Sequence, residues 1–455
     1  MKIYFVGIGG IGMSGLAEYF LKTGSEVSGS DIEQSHITHR LEELGAHFYL
    51  GHSENHIDDS VDLVVYSSAI DKDNPEINKA YELNIKSIKR AELLGQIVND
   101  KFLIAVSGTH GKTTTTAMLG KLLIDSGFDP LIFVGGNVSL FKGAASRFGK
   151  GNFAVVEADE YDRSFLTLKP DIAVITSIDE DHLDIYKDIE DIKNAFKQFC
   201  NNSKQNGKVV YCGDDKNISD FISSVNRENF SYGFTNDNYY RVSDYKVRPH
   251  NLNFSILNSH GSYKDISLNL IGKHNVLNSA ACFAVSKILG IEFEKYCSSV
   301  ESFSTVDRRL QLKYENKVKV YDDYAHHPKE IESSLLGLKE ISKDKKIITV
   351  FQPHLFSRTR DFFREFAEKL AASDLVVLLE IYPAREKPVE NVTSGLIHNE
   401  LKKMNPDSAY ISDEDEVIKF LLRKVKNYGI VLFQGAGDVT ILCDKFIEKL
   451  KSEPN

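Results

Sequence analysis

The sequence predicts an α/β protein with three domains, each built around a mainly parallel sheet. Short apolar runs alternate with helical patterns along almost the whole chain, which is typical of repeated strand–helix–strand units. The order of elements starts again twice, and 455 residues suffice for about three domains of ordinary size. We therefore expect domains over 1–99, 100–303 and 304–455.

The first domain contains predicted strands at Lys2–Val6, Val27–Ser30 and Val61–Ser67, and it closes with a helix around Ala91–Val98. Each strand is a short apolar run, and polar or glycine residues follow it. This order of elements favours a Rossmann-like domain.

A glycine-rich loop, Gly7-Ile8-Gly9-Gly10-Ile11-Gly12, follows the first strand directly. Glycines at this spacing let the backbone approach a pyrophosphate at the N-terminus of the next helix. Asp31 lies about twenty residues further on, where such domains place a ribose-binding acid. The loop therefore predicts diphosphate binding, and it fits either a nicotinamide dinucleotide or a UDP compound. A tight turn without a ligand is the remaining alternative.

The most informative stretch is Ser107-Gly108-Thr109-His110-Gly111-Lys112-Thr113-Thr114. It joins an apolar strand, Phe102–Val106, to a helical pattern through Met118, Leu119, Leu122 and Leu123. Such a loop holds a nucleotide triphosphate on backbone N–H groups, while Lys112 neutralises charge and Thr113 ligates Mg²⁺. Val106 stands where the usual motif has its first glycine. A helix start without a ligand would leave these residues unexplained, so we predict an ATP site in a P-loop ATPase-type central domain.

Acidic residues end two later strands of the central domain. Glu157-Ala158-Asp159-Glu160 ends the predicted strand Ala154–Glu157, and Asp179-Glu180-Asp181-His182-Leu183-Asp184 follows Ala173–Thr176. Open α/β sheets bind ligands at the carboxyl edge, and carboxylate oxygens suit Mg²⁺. The alternative is a pair of solvated acidic turns. With the phosphate loop nearby, we predict a magnesium site.

The remaining elements complete the three domains. Further strands are predicted at Leu131–Val134, Val209–Cys212, Val318–Tyr321, Ile347–Phe351, Leu375–Leu379 and Val431–Phe433. Residues 229–270 carry short alternating runs that suggest antiparallel strands or hairpins. A helix is predicted from His274 to Leu289.

Composition limits the partners and the compartment. The net charge is −10 and no dense basic run is present in the sequence, which argues against a nucleic-acid partner. The five cysteines show no C-x-x-C spacing and are expected to be reduced, as in cytosolic proteins. No apolar run is long enough for a transmembrane helix, and no signal-type segment opens the chain. We expect a cytoplasmic protein with no membrane partner.

Along almost its entire length the chain resembles the ATP-dependent Mur ligases. The motifs that carry the resemblance are Gly7–Gly15, Gly108–Thr116, Glu157–Glu160, Asp181–Asp184, Gly272–Asn278, Asp322–Pro328, Phe351–His354 and Gln434–Gly437. In this family the first domain binds a UDP sugar, the second is an ATPase, and a Rossmann-like third domain closes over the site. This implied use favours UDP over NAD at the first glycine loop.

The resemblance implies ligation of L-alanine to UDP-N-acetylmuramate through an acyl phosphate, with release of ADP and phosphate. ATP and two Mg²⁺ ions are the implied cofactors, and a monomer or weak homodimer is expected. The alternative within the family is a recycling ligase that adds a murein peptide to the same sugar nucleotide. A nicotinamide-dependent oxidoreductase is the alternative from another class.

The resemblance also assigns roles to residues. ATP contacts are implied for Gly108, Thr109, His110, Gly111, Lys112, Thr113, Thr114, His274, Asn275, Asn278, Arg309 and Asp323. Sugar-nucleotide contacts are implied for Gly9, Gly10, Ile11, Gly12, Asp31, Ser67 and Ser68. The implied catalytic residues are Lys112, Glu157, His182, His327 and Arg358, with His326 an open alternative to His327. Thr113 and Glu157 would hold one Mg²⁺ and His182 a second. Tyr324, His354 and Arg360 would lie near the sugar carboxylate or the amino acid.

The chain departs from the family pattern at several positions. Tyr161 and Arg163 replace small residues after Glu160, Asp307 replaces a common glycine, and Leu355 stands where a basic residue is frequent. Some family members carry a carbamylated lysine near the position of Lys197. We expect Lys197 to be an ordinary surface lysine here.

Overall fold

The computed structural model of the chain describes residues 1–71, 73–138, 141, 144–182, 185–248, 251–304, 306–342, 345–384 and 386–452. Leu183 and Asp184, at the end of the predicted acidic motif, lie outside the described residues. Within these ranges the strands form three sheets, of five, ten and six strands. The predicted α/β class is confirmed.

The chain divides into two compact units. The first unit comprises 1–244, 254–266 and 277–304, and the second comprises 245–253, 267–276 and 305–455. No helix among the described residues is long and apolar enough to cross a membrane.

The first sheet has the order β3-β2-β1-β4-β5 and is parallel throughout. Its strands are β1 Lys2–Val6, β2 Glu26–Asp31, β3 His47–Leu50, β4 Leu63–Tyr66 and β5 Lys86–Lys89. Its helices are α1 Ile11–Lys22, α2 His36–Glu43, α3 Pro75–Glu82 and α4 Arg90–Val98, with a 3₁₀ turn at Glu54–His56. The strand order reverses between β1 and β4, which is where sheets of this kind bind ligands.

The second sheet has the order β15-β14-β13-β12-β11-β10-β6-β9-β7-β8. Its strands are β6 Phe102–Ser107, β7 Leu131–Val138, β8 Ala144–Phe148, β9 Phe153–Glu157, β10 Ile172–Ile175, β11 Lys208–Cys212, β12 Glu228–Gly233, β13 Tyr240–Val247, β14 Leu252–Asn258 and β15 Gly261–Leu268. The accompanying helices are α5 Lys112–Asp125, α6 Ile189–Asn201, α7 Lys216–Ile222, α8 Lys273–Ile288 and α9 Phe293–Glu301, with a 3₁₀ segment at Tyr161–Thr167.

Strand β6 lies between β9 and β10 and is parallel to both. Its residues 103–106 are fully buried, as expected for a central strand covered on both faces. Because the three strands run in the same direction, the loops that follow them emerge at one edge of the sheet. The phosphate loop and both acidic segments therefore share that edge, as predicted.

The third sheet, with the order β16-β17-β21-β18-β19-β20, lies in the second unit. Its strands are β16 Gln311–Glu315, β17 Lys319–Asp323, β18 Ile347–Phe351, β19 Leu375–Leu378, β20 Ser408–Tyr410 and β21 Ile430–Gln434. Its helices are α10 Pro328–Ser342, α11 Phe356–Leu370, α12 Gly395–Met404, α13 Glu414–Lys424 and α14 Val439–Ser452, with a 3₁₀ turn at Val425–Asn427. Only the edge strand β16 pairs antiparallel among the ladders described here.

The structure corrects one part of the expected strand pattern. Antiparallel strands or hairpins were expected over residues 229–270, but at the start of this range β12 pairs parallel with β11, and β13 pairs parallel with β12. The alternating polar residues that suggested hairpins reflect partial exposure near the end of the sheet, where one face of a strand remains accessible. The short strands β3, β5 and β20 were not predicted, because half-exposed runs of three or four residues give little apolar signal.

Candidate functional site

The phosphate loop joins β6 to α5 through two glycines with positive φ. Gly108 has φ 139°, and a Cβ there would lie 2.1 Å from Oγ1 of Thr176. Gly111 has φ 84°, and a Cβ there would lie 2.7 Å from Oδ1 of Asn278. Both positions therefore require glycine, for their backbone conformation and for the space around them. The predicted strand, glycine turn and helix are confirmed.

The segment after β10 holds this loop in place. The backbone N–H of Thr109 donates to the carbonyl of Ser177 over 2.9 Å, and the N–H of His110 donates to Oγ of Ser177 over 2.9 Å. Nε2 of His110 lies 3.1 Å from Oδ2 of Asp179. Ser177 and Asp179 were not assigned a role from the sequence, although Asp179 begins the second acidic segment and Ser177 lies two residues before it.

Lys112 begins α5, and its ammonium group is enclosed by the loop. Nζ donates to the carbonyl oxygen of Gly108 over 2.6 Å and to Oε1 of Glu160 over 2.8 Å. Burial alone would lower the pKa of Lys112, but the carboxylates of Glu160, Asp159 and Glu157 outweigh it and raise that pKa to about 12. Lys112 is therefore a fixed positive charge at the N-terminus of a helix, which suits it to bind phosphate.

Glu160 ends the first acidic motif, and the sequence assigned no role to it. The structure places it at the centre of the site. Its side chain is 3% exposed and lies between Lys112 and His182, whose Nε2 is 3.7 Å from Oε1 of Glu160. Burial opposes ionisation of Glu160, but the nearby charges of Lys112 and His182 hold its pKa below the ordinary value. For His182, burial lowers the pKa, but Glu160 and Asp181 raise it above the ordinary value.

Two of the predicted magnesium ligands lie together. Oγ1 of Thr113 donates to Oε1 of Glu157 over 3.1 Å, and the other carboxylate oxygen accepts from the N–H of Gly135 over 2.6 Å. A hydroxyl and a carboxylate suit Mg²⁺, which typically binds few protein ligands together with phosphates and water. Among the described residues no group of three or more His, Cys, Asp or Glu side chains could hold a metal ion. The third predicted ligand, His182, lies beside Glu160.

The loop after Glu160 contains two non-glycine residues in the left-handed conformation. Asp162 has φ 53° and Arg163 has φ 54°, and such conformations cost about 1–2 kcal/mol per residue. Asp162 accepts a hydrogen bond from Nζ of Lys89 over 2.6 Å, and Arg163 donates to Asp191. Their side-chain contacts hold the loop in this conformation.

Three of the residues implied to contact ATP, namely His274, Asn275 and Asn278, lie in the first turns of helix α8. Asn278 lies beside Gly111 in the first unit. His274 and Asn275 belong to the second unit, where Nδ2 of Asn275 donates to the carbonyl of Ile271 over 2.8 Å and lies 3.1 Å from Nε2 of His274. Asn278 is thus the member of this set that the structure places at the phosphate loop.

The first glycine loop is tied to the end of β2. The N–H groups of Gly7 and Ile8 both donate to the carbonyl of Ser30, and the N–H of Gly9 donates to Oδ2 of Asp31 over 2.8 Å. Oδ1 of Asp31 accepts from the N–H of Ile32 over 2.8 Å. Asp31 therefore supports the loop through Oδ2 and accepts from the following residue through Oδ1, whereas the dinucleotide interpretation assigned it to a ribose.

A cavity of about 320 Å³ connects the first glycine loop with the acidic edge of the second sheet. Its lining residues are Gly10, Ile11, Gly12, Met13, Gly15, Leu16, Ser67, Arg90, Leu94, Phe133, Val134, Gly135, Ala145, Glu157 and Asp159. All of them belong to the first unit. Ser68 is exposed and outside this lining. Arg90 was missed from the sequence because no motif marks an isolated arginine at a helix start.

The candidate ATP residues of the second unit have different surroundings. The Asp323 carboxylate is 4% exposed and accepts from Ser334 over 2.6 Å and from Gln434 over 3.1 Å. Burial raises the pKa of Asp323 above its ordinary value. The guanidinium of Arg309 lies over the ring of Tyr324, 5.2 Å from its centroid. Asp323 thus has hydrogen bonds that stabilise the sheet edge, whereas Arg309 lies at an aromatic surface.

The histidines after β17 differ in burial. His327 is 5% exposed, and its ring packs against Phe362 with centroids 5.4 Å apart. The ring of His326 lies 5.6 Å from that of His354, which stacks on Tyr382. The surroundings of His327 are those of a packed residue, and His326 is the one that the structure places beside His354.

Two arginines complete the candidate set of the second unit. Arg358 lies in α11 and is 8% exposed. Arg360 is exposed and forms an ion pair with Asp361 over 2.7 Å.

Leu355, which stands where the family pattern often has a basic residue, has φ 69° immediately before α11. Lys197 lies half-buried on α6.

The phosphate loop, the acidic edge and the first glycine loop define a nucleotide-dependent enzyme with two places for anionic groups. Comparison with protein-family models matches three Mur ligase models: "Mur ligase family, catalytic domain" over residues 2–102, "Mur ligase middle domain" over 106–286, and "Mur ligase, glutamate ligase domain" over 308–437. The chain belongs to the Mur ligase family.

Individual relatives are similar over the full length. The UDP-N-acetylmuramate–L-alanine ligase of Geotalea daltonii is 42% identical, covering 100% of this chain and 99% of the relative. That of Clostridium tetani is 40% identical, covering 98% of each. The crystal structure of the UDP-N-acetylmuramate-alanine ligase of Thermotoga maritima has a TM-score of 0.86 at 30% identity, covering 99% of both chains. A murein peptide ligase from Psychrobacter arcticus has a TM-score of 0.72 at 22% identity over 100% of both chains, which shows the shared fold.

Proposed function

We propose that this chain is the ATP-dependent ligase that joins L-alanine to UDP-N-acetylmuramate in the synthesis of the peptidoglycan precursor. The observation that carries the proposal is the cavity lined by Gly10 and Gly12 at one side and by Glu157 at the other. It offers one bound molecule both a helix N-terminus for a diphosphate and access to the acidic edge beside the phosphate loop. A sugar nucleotide with a carboxylate has a diphosphate for the first of these places and a carboxylate for the second.

In this proposal the diphosphate of the sugar nucleotide binds the N–H groups at the start of α1, which opens with Gly10 as its N-cap. Arg90 lies across the cavity, close to Gly12, and supplies a positive charge. Ser67 contributes a hydroxyl at the end of β4, whereas the exposed Ser68 would contact a part of the ligand outside the cavity. Gly9 and Asp31 act by fixing the loop.

ATP binds at the start of α5, where Lys112 exchanges its contacts with the loop carbonyls and Glu160 for contacts with the phosphates. His110 and Thr114 belong to the same loop and helix start. Thr113 and Glu157 would hold one magnesium ion, and His182 would contribute to a second. Bound magnesium would offset the repulsion between the anionic reactants. The contact between Thr113 and Glu157 supports the first of these ions.

The reaction then has two steps. A carboxylate oxygen of the sugar nucleotide attacks the γ-phosphorus of ATP, forming an acyl phosphate and releasing ADP. The amine of L-alanine next attacks the acyl carbon, phosphate leaves with the electrons of the broken C–O bond, and the nitrogen gives up a proton as the amide forms. Lys112 and the helix N–H groups stabilise the developing charge by position and electrostatics.

The roles proposed for the second unit rest on the family resemblance. Arg309 and Asp323 are assigned to ATP, and Tyr324, His354, Arg358 and Arg360 to the carboxylate or the amino acid. The burial of Asp323 favours a supporting role there, and His326 joins His327 as a candidate next to His354. We place the enzyme in the cytoplasm, as a monomer or weak homodimer.

The recycling ligase is the less favoured alternative, because the full-length relatives at about 40% identity are named as ligases of L-alanine. The nicotinamide alternative leaves the phosphate loop without a function. It also has to use an Asp31 whose two oxygens already accept backbone hydrogen bonds. A titration of the protein with NADPH and with UDP-N-acetylmuramate by calorimetry separates these ligands.

The direct test is phosphate release from the purified full-length chain. We expect release only when UDP-N-acetylmuramate, L-alanine, ATP and Mg²⁺ are all present, with L-alanine preferred over glycine, L-serine and an L-alanine-containing tripeptide. ATP hydrolysis that ignores the sugar nucleotide would refute the proposal. Preference for the tripeptide would assign the chain to peptide recycling.

A further inference from the structure

Arg163 links the loop after Glu160 to Tyr186 and to Asp191 of helix α6. It stands in the left-handed loop after Glu160, at a position where the family pattern has a small residue. Its Nη2 donates to both carboxylate oxygens of Asp191, over 2.7 and 2.8 Å. Its guanidinium also lies 4.9 Å from the centroid of the Tyr186 ring.

These partners lead back to Glu160. The hydroxyl of Tyr186 donates to the backbone carbonyl of Glu160 over 2.6 Å, and the N–H of Arg163 donates to the same carbonyl over 3.0 Å. On the other side, the N–H of Tyr186 donates to the carbonyl of His182. The loop that carries Glu160 and the loop that carries His182 are therefore joined through one arginine and one tyrosine.

We propose that Arg163 is a positioning residue that, through Tyr186 and Asp191, holds the Glu160 carboxylate against Lys112 at the ATP site. The inference rests on the proposed function for its link to ATP. Two consecutive left-handed residues persist only where surrounding contacts determine the backbone, and Arg163 supplies three such contacts. Lys112 and His182 both depend on the position of Glu160.

We call the contacts of Arg163 with Tyr186 and Asp191 the Arg163 bridge. This bridge is expected to affect the position of Glu160 more than the global stability of the protein. The side chains of Arg163 and Asp191 are 35% and 31% exposed, and partly exposed ion pairs add little to folding. A small displacement of a catalytic group, by contrast, can cost up to about a hundredfold in rate. Loss of the bridge should therefore change kcat and the rate of amide hydrogen exchange near Glu160, with little change in melting temperature.

The test compares Arg163→Ala, Arg163→Lys and Tyr186→Phe with the full-length wild type. We expect Arg163→Ala to lower kcat about tenfold and to speed amide exchange in residues 159–165 and 185–191, with the KM for UDP-N-acetylmuramate unchanged. Lysine keeps the charge but not the planar contact with Tyr186, so Arg163→Lys should fall between alanine and wild type. The double variant Arg163→Ala/Tyr186→Phe should be less impaired than the product of the single effects, because both act on one bridge.

Arg227→Ala is the matched control. Arg227 donates to the carbonyl oxygens of Ser203 and Asn201 and has no contact with the Glu160 loop among the interactions described. The proposal is overturned if Arg163→Ala keeps wild-type kcat and exchange, or if Arg227→Ala shows equal losses. If the wild type does not ligate L-alanine, the proposed function fails, while exchange and binding of a non-hydrolysable ATP analogue still test the bridge.

Discussion

Nζ of Lys112 lies 2.8 Å from Oε1 of Glu160, and both side chains are largely buried, at 14% and 3% exposure. The cation that would meet the phosphates of ATP thus has an internal anionic partner before any nucleotide binds. Such a pair stabilises the empty site, since an unpaired buried charge would be costly. It also gives Glu160 a role in the stability of the folded protein.

Replacing Glu160 by glutamine should produce a pH-dependent loss of stability. Glu160 has a pKa below the ordinary value of 4.5, so its stabilising effect is present above that value and is lost as pH falls through the folded-state pKa. We expect Glu160→Gln to lower the free energy of unfolding by about 3–5 kcal/mol at pH 7, and the difference to shrink below pH 4.5. Urea titrations at both pH values measure it. An exposed glutamate variant, Glu390→Gln, should show no such difference.

Removing either proposed magnesium ligand should abolish turnover while sparing the first glycine loop. Thr113→Ala and Glu157→Ala each remove an oxygen from the pair at the phosphate loop. We expect a loss of roughly a thousandfold or more in kcat, with UDP-N-acetylmuramate affinity in calorimetry nearly unchanged. Thr116→Ala is the control, since the Thr116 hydroxyl donates to the helix carbonyl of Lys112. Near-normal turnover in either ligand variant would refute the metal assignment.

Gly9→Ala should weaken the binding of the sugar nucleotide without affecting the binding of ATP. A Cβ at Gly9 would lie 2.9 Å from Oδ2 of Asp31 and 3.2 Å from Cγ2 of Thr38, so the loop or Asp31 has to move. We expect the KM for UDP-N-acetylmuramate to rise about tenfold or more, with the KM for ATP within twofold. Gly261→Ala provides the comparison, because no atom lies within 4 Å of its added Cβ. Equal kinetics in the two variants would exclude this loop as the diphosphate site.

His326 and His327 should separate activity from stability. His327 is packed against Phe362, so His327→Ala should leave a cavity and lower the free energy of unfolding by about 2–4 kcal/mol. His326 lies beside His354, so His326→Ala should keep the stability and lower kcat/KM for L-alanine about tenfold. Thermal unfolding and steady-state kinetics on both variants check the two effects. The reverse pattern would identify His327 as the catalytic histidine.

The sequence predicted the parts of the site that depend on backbone periodicity and glycine spacing. The strand before Gly108, the helix from Lys112 and the acidic end of β9 all follow from local patterns. Arg90 was not predicted, because its place beside Gly12 depends on the packing of α4, which no local pattern records. The difference between His326 and His327 likewise depends on tertiary packing, since the two residues are adjacent and identical in type.

The supporting role of Asp31 was also hidden from the sequence. A carboxylate at this spacing suits a ribose hydroxyl and a backbone N–H equally well, and only the fold shows that the N–H of Gly9 occupies it. The domain boundaries at residues 99 and 303 stay predictions. They fall near the gaps between the family models, after residues 102 and 286.

The arrangement of β9, β6 and β10 as adjacent parallel strands has an evolutionary consequence. The loops that carry Glu157, Lys112 and His182 are spaced by main-chain ladders, whose separation of about 4.8 Å is the same for every amino-acid sequence. Helix surfaces and peripheral strands can therefore diverge without altering the distances on which phosphoryl transfer depends. This constant spacing between strands explains how relatives that share about two residues in five can keep one chemistry.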